Sequence, residues 1–329
     1  MLYIPNDSTD PFFNLALEEY LLTQRTDLGD ILLLWQNEPT VVIGRNQNSA
    51  TEVNRAFMQE RHIHLARRLS GGGAVYHDLG NLNFTFITED VSSGGHSFEQ
   101  FTAPIIRILQ SLGISAENTG RNDITIQGKK FSGNAQCHFA NRILHHGTIL
   151  LNSNFGDMIQ VLNVDSSKLS SKGISSVRSR VTNICDYLPE PISPAQFKQI
   201  LLNDFSQTQL EFAYYKLQPD ELTAVNKLRQ GKYITWDWIY GKTPAFDLSR
   251  QQRFSWGQLE AKLSINNGVI SDMRFYGDFF DIRNIDELAD YLIGSRYDYQ
   301  ILAAKLENIS LEEFIPELER AQLLSLLFA

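Results

Sequence analysis

Cysteine is nearly absent from this sequence. Cys137 and Cys185 are the only two, in no metal-ligand spacing, which excludes a disulfide framework and a zinc site and suits a reducing compartment. No apolar run approaches the ~18 residues needed to cross a bilayer, and residues 1–10 lack the basic and apolar regions of a signal peptide. The chain is therefore expected to be a soluble cytoplasmic protein with no membrane partner. Positive charge is also short: 29 Lys and Arg against 38 Asp and Glu leave a net charge of -9. No overall basic field exists for nucleic acid, so any anion site must be a local cluster of Lys and Arg. Internal repeats and low-complexity segments are missing too. What remains is ordinary globular composition, 43% hydrophobic and 20% charged over 329 residues, long enough for two domains that each bury a core.

Periodicity places the elements. Asp10 and Pro11 read as a cap followed by proline at the first helical position, with Phe13, Leu17, Tyr20 and Leu21 sharing one face of the helix that follows. Apolar runs at residues 31–35 and 41–44 predict buried strands. Leu82, Phe84 and Phe86 alternate with Asn83 and Thr85, the period of two of a half-buried strand. Residues 125–127 and 148–151 look similar. Ser97 opens a helix carrying Ile105, Ile106, Leu109 and Leu112, stopped at Gly113. Strands dominate to about residue 185. Ser193 and Pro194 then start a helix with Phe197, Ile200, Leu201 and Phe205, and Pro219 starts another. Beyond Pro244, Leu259, Ala261, Leu263 and Ile265 alternate up to Asn266, Asn267 and Gly268, a hairpin signal. A domain boundary is expected at residues 243–249, giving domains 1–246 and 247–329.

Two loops carry the chemistry. Arg67, Arg68, Leu69 and Ser70 precede Gly71, Gly72 and Gly73, then Ala74, Val75, Tyr76, His77 and Asp78. Consecutive glycines let a main chain pass close to a ligand or present amide N–H groups to an anion. Arginine forks beside them suit phosphate or carboxylate oxygens, although a flexible surface turn with incidental charge has the same composition. The second loop runs from Gly120, Arg121, Asn122 and Asp123 to Lys129, Lys130, Phe131, Ser132 and Gly133. Lys130 is suited to setting a point charge on a phosphate and on the carboxylate that attacks it; a solvated lysine pair in a hairpin is the plainer alternative. His77 and Asp78 invite a dyad reading, but neighbours on a strand point to opposite faces, which favours a turn-fixing role.

In their order and residue types these loops resemble the lipoate-protein ligase A family in its two-domain form. The likeness also rests on residues 40–48, on His145, His146, Gly147 and Thr148, and on residues 172–183. It continues through Trp236, Asp237 and Trp238 into residues 253–257. The resemblance implies an α+β fold: a mixed, largely antiparallel sheet flanked by helices, as in class II synthetases and biotin ligases, with a small C-terminal α/β domain. It implies ATP-dependent activation of lipoate to lipoyl-AMP, followed by transfer to a lysine of lipoyl domains of 2-oxoacid dehydrogenase complexes or of the glycine-cleavage H protein. Lys130 becomes the catalytic residue, contacting lipoate and ATP. Arg68, Gly73, Ala74, Val75 and Tyr76 hold the nucleotide, with Asn122 and Asp123 as further candidates and Asp123 as a ligand for Mg²⁺. Gly71, Gly72, Arg45 and His146 are assigned to lipoate, with a structural histidine and a surface arginine as the alternatives for the last two. Lys172, Arg178 and Arg180 would form a basic docking rim, and the small domain would move between the half-reactions. Two rivals stay open: an acyltransferase working through a cysteine thioester, for which Cys137 is the candidate, and a lipoate-binding sensor without turnover.

Overall fold

In this computed structural model the described residues are 1–47, 49–90, 98–119, 122–162, 180–209, 211–240 and 248–328. Asn48, Ser97, Gly120, Arg121, the 172–179 part of the 172–183 motif with Lys172 and Arg178, and the approach to the domain boundary at 241–247 lie outside them. The chain folds into two units.

The first unit is built on an eight-stranded sheet. Its strands are β1 (Leu2–Tyr3), β2 (Ile31–Trp35), β6 (Asn81–Glu89), β7 (Ala116–Thr119), β8 (Asp123–Ile126), β9 (Lys129–Phe139), β10 (Arg142–Leu150) and β11 (Ala213–Tyr214). They lie in the order β11-β1-β2-β6-β10-β9-β8-β7. β1 runs parallel to both neighbours and the remaining pairs are antiparallel, so the sheet is mixed and largely antiparallel, with helices against it. A smaller sheet holds β3 (Thr40–Ile43), β4 (His64–Arg67) and β5 (Val75–His77).

One face of the large sheet packs into an apolar core. Leu32, Leu34, Leu82, Phe84 and Phe86 meet Phe101, Ile105, Phe197 and Phe205 from helices Phe98–Ser111 and Pro194–Thr208. Ser193 and Gln196 close a capping box on the second of these. The alternation in β6 predicts a half-buried strand, yet Asn81, Asn83 and Thr85 are buried as well. Over Thr85 the cover is helix α1 (Pro11–Thr23), which brings Glu18 against it and is capped by Asp10 through the amides of Phe12 and Phe13. It packs against β6 and β10 and is buried on more sides than its apolar spacing predicts, with Asn14 and Glu18 among its buried residues. Both faces of β6 are covered, one by hydrocarbon and one by polar groups that bond each other.

The second unit comprises residues 240–329 together with Ile43–Ala50 and Arg68–Ala74. Its strands β12 (Leu248–Phe254), β13 (Gly257–Asn266) and β14 (Val269–Gly277) form an antiparallel meander. Asn267 and Gly268, both at positive φ, make the predicted tight turn. Helices including Ile285–Leu292 and Arg320–Phe328 follow and share its core with Leu259, Leu263, Phe275 and Phe279. Among the described residues no helix is long and apolar enough to cross a membrane.

Arg142 joins sheet to helix in the first unit. Its buried guanidinium donates to the carbonyl oxygens of Leu21, Arg25 and Gly29 at the end of α1 and in the loop after it, and burial lowers its pKa. Arg142→Met keeps the bulk but leaves the buried Leu21 carbonyl and the more accessible Arg25 and Gly29 carbonyls without these donors, so urea unfolding should give a loss of roughly 3 kcal/mol. A variant within about 0.5 kcal/mol of wild type, a bound set at the scatter of surface substitutions, would show that water replaces those bonds.

Candidate active site

The polar face of the large sheet gathers the first constellation. Register pairs Thr85 with His146, Asn83 with Thr148 and Trp35 with Asn83, so Trp35, Asn83, Thr85, His146 and Thr148 share that face. Glu18 comes down from α1 onto it. The His146 Nδ1–H faces Glu18 Oε1 at 3.0 Å, Thr85 Oγ1 donates to the same oxygen at 2.6 Å, and Trp35 Nε1–H donates to Thr85 at 2.9 Å. A buried carboxylate is thus held by two donors, His146 and Thr85, as an unpaired one could not be. Asn81 Nδ2 donates to Asn83 Oδ1 at 2.9 Å, leaving Asn81 Oδ1 and Asn83 Nδ2 buried without a partner among the described residues.

Lys130 reaches the same face by an irregularity of the ladder. Ile124 pairs with Ser132 but Thr125 pairs with Lys130, so Phe131 is an extra residue and the alternation of β9 reverses there. Phe131 drops into the apolar core, while Lys130 lies over Gly133, where an added side-chain carbon would stand 2.8 Å from Nζ. Gly133 pairs with Asp123, and Lys130 Nζ meets Asp123 Oδ1 at 2.7 Å, with both side chains about a third exposed. The Lys130 main chain is clamped from beyond the sheet, its N–H to the Arg180 carbonyl at 2.7 Å and its C=O from the Thr182 amide at 2.9 Å. Asn122 braces the neighbouring strand: its Nδ2 donates to the Asn134 carbonyl, and Asn134 returns two bonds to the Asn122 carbonyl. Among the described residues no group of three His, Cys, Asp or Glu side chains is set to hold a metal.

The glycine loop and Arg45 belong to the second unit. Arg68 Nε donates to Ser70 Oγ, and its terminal nitrogen to the Gly71 and Gly73 carbonyls at 2.6 and 2.8 Å, so the guanidinium braces the loop from within. Gly72 has φ 87°, a conformation that favours glycine. Gly73 has nothing near where a side chain would stand, and its backbone is open to approach. The Arg45 amide donates to the Ser70 carbonyl. Ala74 ends the loop. In the first unit, β5 continues it: Val75 pairs with Val42 and Tyr76 with Val41, and burial raises the pKa of the Tyr76 hydroxyl, keeping it neutral.

Three further placements differ from, or sharpen, the sequence expectations. Arg67 is not a free anion fork, since its guanidinium donates to the Trp238 and Ile239 carbonyls while Trp238 Nε1 donates back to the Arg67 carbonyl. Asp78 fixes a turn, accepting from the amides of Gly80 and Asn154. His77 faces Asn37 instead. Glu18, Asn81, Asn83, Thr85 and Asn134 were missed by motif reading. The polar half of the β6 alternation was the available signal for three of them.

The family model described as "Lipoyl protein ligase A/B catalytic domain" matches residues 10–206, and "Bacterial lipoate protein ligase C-terminus" matches 243–327. Lipoate–protein ligase 1 of Staphylococcus aureus is 40% identical over 329 residues, covering 99% of this chain and all of that relative. Among solved structures, P. falciparum LipL1 in complex with lipoate is similar with a TM-score of 0.80 at 28% identity, covering 94% of each chain. A lipoate-protein ligase A bound with ATP is similar with a TM-score of 0.61 at 26% identity, over 73% of this chain and 98% of that one.

His145, beside this site but on the apolar face, stays neutral. It stacks on Phe101 at 4.6 Å, accepts from Gln136 Nε2 at Nδ1, and its Nε2–H faces Asn134 Oδ1. Burial, and then the neighbouring His146, hold its pKa well below the usual value. The unfolded chain takes up a proton here below about pH 6.5 and the folded chain does not, so this residue's contribution to stability is complete above that pH and lost as pH falls. His145→Leu should flatten the acid side of the stability profile measured by urea unfolding from about pH 7 to 5; an unchanged slope would mean that the ring protonates in the folded state.

Proposed function

This chain belongs to the lipoate-protein ligase family, and we propose that Lys130 is the cation on which its adenylation chemistry turns. The chain is an enzyme that activates lipoate and transfers the lipoyl group to protein. The observation that carries the assignment of Lys130 is its placement: a β-bulge turns its ammonium onto the polar face, Gly133 leaves it room, and Asp123 holds it.

Attack of a carboxylate on the α-phosphate of ATP brings two anions together, so the step needs fixed positive charge and aligned N–H donors more than a base. Lys130 would exchange its contact with Asp123 for the lipoate carboxylate and the phosphate. Arg68, Gly73, Ala74, Val75 and Tyr76 would hold the nucleotide, with Arg68 acting by shaping the loop. Asn81 Oδ1 and Asn83 Nδ2, a buried acceptor and donor lacking partners among the described residues, suit the hydrogen-bonding edge of a base such as adenine. Asn122 would serve by bracing Asn134. A carboxylate oxygen of Asp123 fits Mg²⁺, which is commonly held by one or two carboxylates and by phosphates; bound there it would neutralise phosphate charge. Arg45, Gly71, Gly72 and His146 are assigned to lipoate, with Glu18 fixing the His146 ring.

We assign residues 1–246 to adenylation and 247–329 to an accessory role. The acceptors would be lipoyl domains of 2-oxoacid dehydrogenase complexes and the glycine-cleavage H protein, and the compartment the cytoplasm, where the two free thiols stay reduced.

Lys130→Ala should keep its fold and lose ~10²–10³ in lipoyl-AMP formation, read as lipoate-dependent pyrophosphate release. Gly133→Ala should lose activity by the same route, because the added methyl displaces the ammonium. Unaltered pyrophosphate release in folded Lys130→Ala removes the assignment.

Cysteine-based acyl transfer predicts a different outcome. Cys137 lies four residues along β9 from Gly133, roughly 13 Å by strand geometry, and Cys185 Sγ faces the Ile192 carbonyl. Replacing both with alanine should leave ATP-dependent lipoylation of a lipoyl domain, followed by intact mass, within a few-fold of wild type. Activity abolished in the folded double variant would establish the transferase.

A further inference from the structure

The loops around Gly44 and Gly72 close on a segment that no motif singled out, residues 277–281 at the end of β14. The Gly72 amide donates to the Phe279 carbonyl at 2.9 Å, and the Gly277 amide donates to the Asn46 carbonyl at 2.9 Å. Glycine is required along the contact. A side-chain carbon at Gly71 would stand 2.5 Å from the Phe279 carbonyl oxygen and 3.2 Å from Asp281 Oδ1, and one at Gly72 would stand 2.7 Å from the Phe280 ring. A side chain at Gly44 would collide with the Gly72 carbonyl. Asp281 is almost fully enclosed, and its Oδ2 lies 4.0 Å from an Arg45 nitrogen, the arginine side chain being part exposed. Burial pushes the Asp281 carboxyl upward, and Arg45 and Asn46 oppose the shift.

We propose that Asp281 is a positioning residue for Arg45 and that residues 277–281 are the scaffold on which the glycine loop and the Arg45 turn take their shape. A part-exposed arginine has many rotamers, and a buried carboxylate behind it selects those that present the guanidinium to an incoming anion. The Phe279 carbonyl, by taking the Gly72 amide, fixes the left-handed turn and leaves Gly73 as the open position of the loop. The inference rests on the assignment of Arg45 to lipoate and deepens it: what Arg45 recognises depends on the carboxyl of Asp281 behind it.

The test is lipoate-dependent ATP–pyrophosphate exchange in the full chain with Asp281→Asn, Arg45→Ala and the double variant. Asp281→Asn should raise KM for lipoate about tenfold, the effect falling on KM rather than kcat. The double variant should be no worse than Arg45→Ala, since both act through one guanidinium. If Arg45→Ala raises KM but Asp281→Asn does not, or if the two effects add, the positioning role is overturned and the assignment of Arg45 stands. If Arg45→Ala leaves KM unchanged, both fall. Should Asp281→Asn fail to fold, Asp281→Ser takes its place in the same comparison. Hydrogen exchange on the wild-type chain tests the scaffold separately: the Gly72 amide is protected without ligand if Phe279 holds it, and exchange at the rate of an open loop overturns the scaffold.

Discussion

Which face of the sheet Lys130 serves is set by one unpaired residue. Were Phe131 paired in a regular ladder instead of bulged, strict alternation would put Lys130 and Gly133 on opposite faces and turn the ammonium toward the apolar core. The bulge sends Phe131 into that core and Lys130 to the side where Asp123, Thr148 and His146 stand. Burial of a phenylalanine and presentation of a cation are therefore one event, and the apolar packing of Phe131 stabilises the polar geometry. The clamp from Arg180 and Thr182 holds the bulged strand from its other edge, as a local break in the ladder requires.

The same economy governs the polar face. A sheet with one apolar face usually leaves its other face to water, but α1 covers this one and brings Glu18 with it. Removing a carboxylate from water carries a large penalty unless donors replace the solvent, and here His146 and Thr85 replace it, with Trp35 bonding Thr85 in turn. Such a network is rigid because every member fixes another. Asn81 and Asn83 stand outside this network on the same sheet: they bond each other, and Asn81 Oδ1 and Asn83 Nδ2 have no partner among the described residues.

Much of this was legible in the sequence and some was not, for physical reasons. The caps at Asp10 and Ser193, the Asn267–Gly268 turn and the β6 alternation are local, and local signals survive in a string of letters. The family resemblance singled out Lys130 and the glycine loop. A bulge, however, depends on pairing between strands, and no single strand records it. Glu18 looks like any glutamate of a surface helix, and only the covering of β6 makes it a buried partner. Arg67 and Arg68 are adjacent and alike, yet one bonds carbonyls 171 and 172 positions away and the other bonds its own loop. Long-range contacts separated them.

The three consecutive glycines illustrate how one motif answers to several constraints. Gly71 is required by the Phe279 carbonyl, and Gly72 by its positive φ and the Phe280 ring, so both are explained by packing within the second unit before any ligand is considered. Gly73 has neither constraint. A residue with free space and an ordinary φ gains nothing from lacking a side chain inside the protein itself, and glycine carries a penalty in backbone entropy. Gly73 is accordingly the position at which the nucleotide proposed above could pass closest to the main chain. The triplet divides into two positions that shape the loop and one that the loop offers.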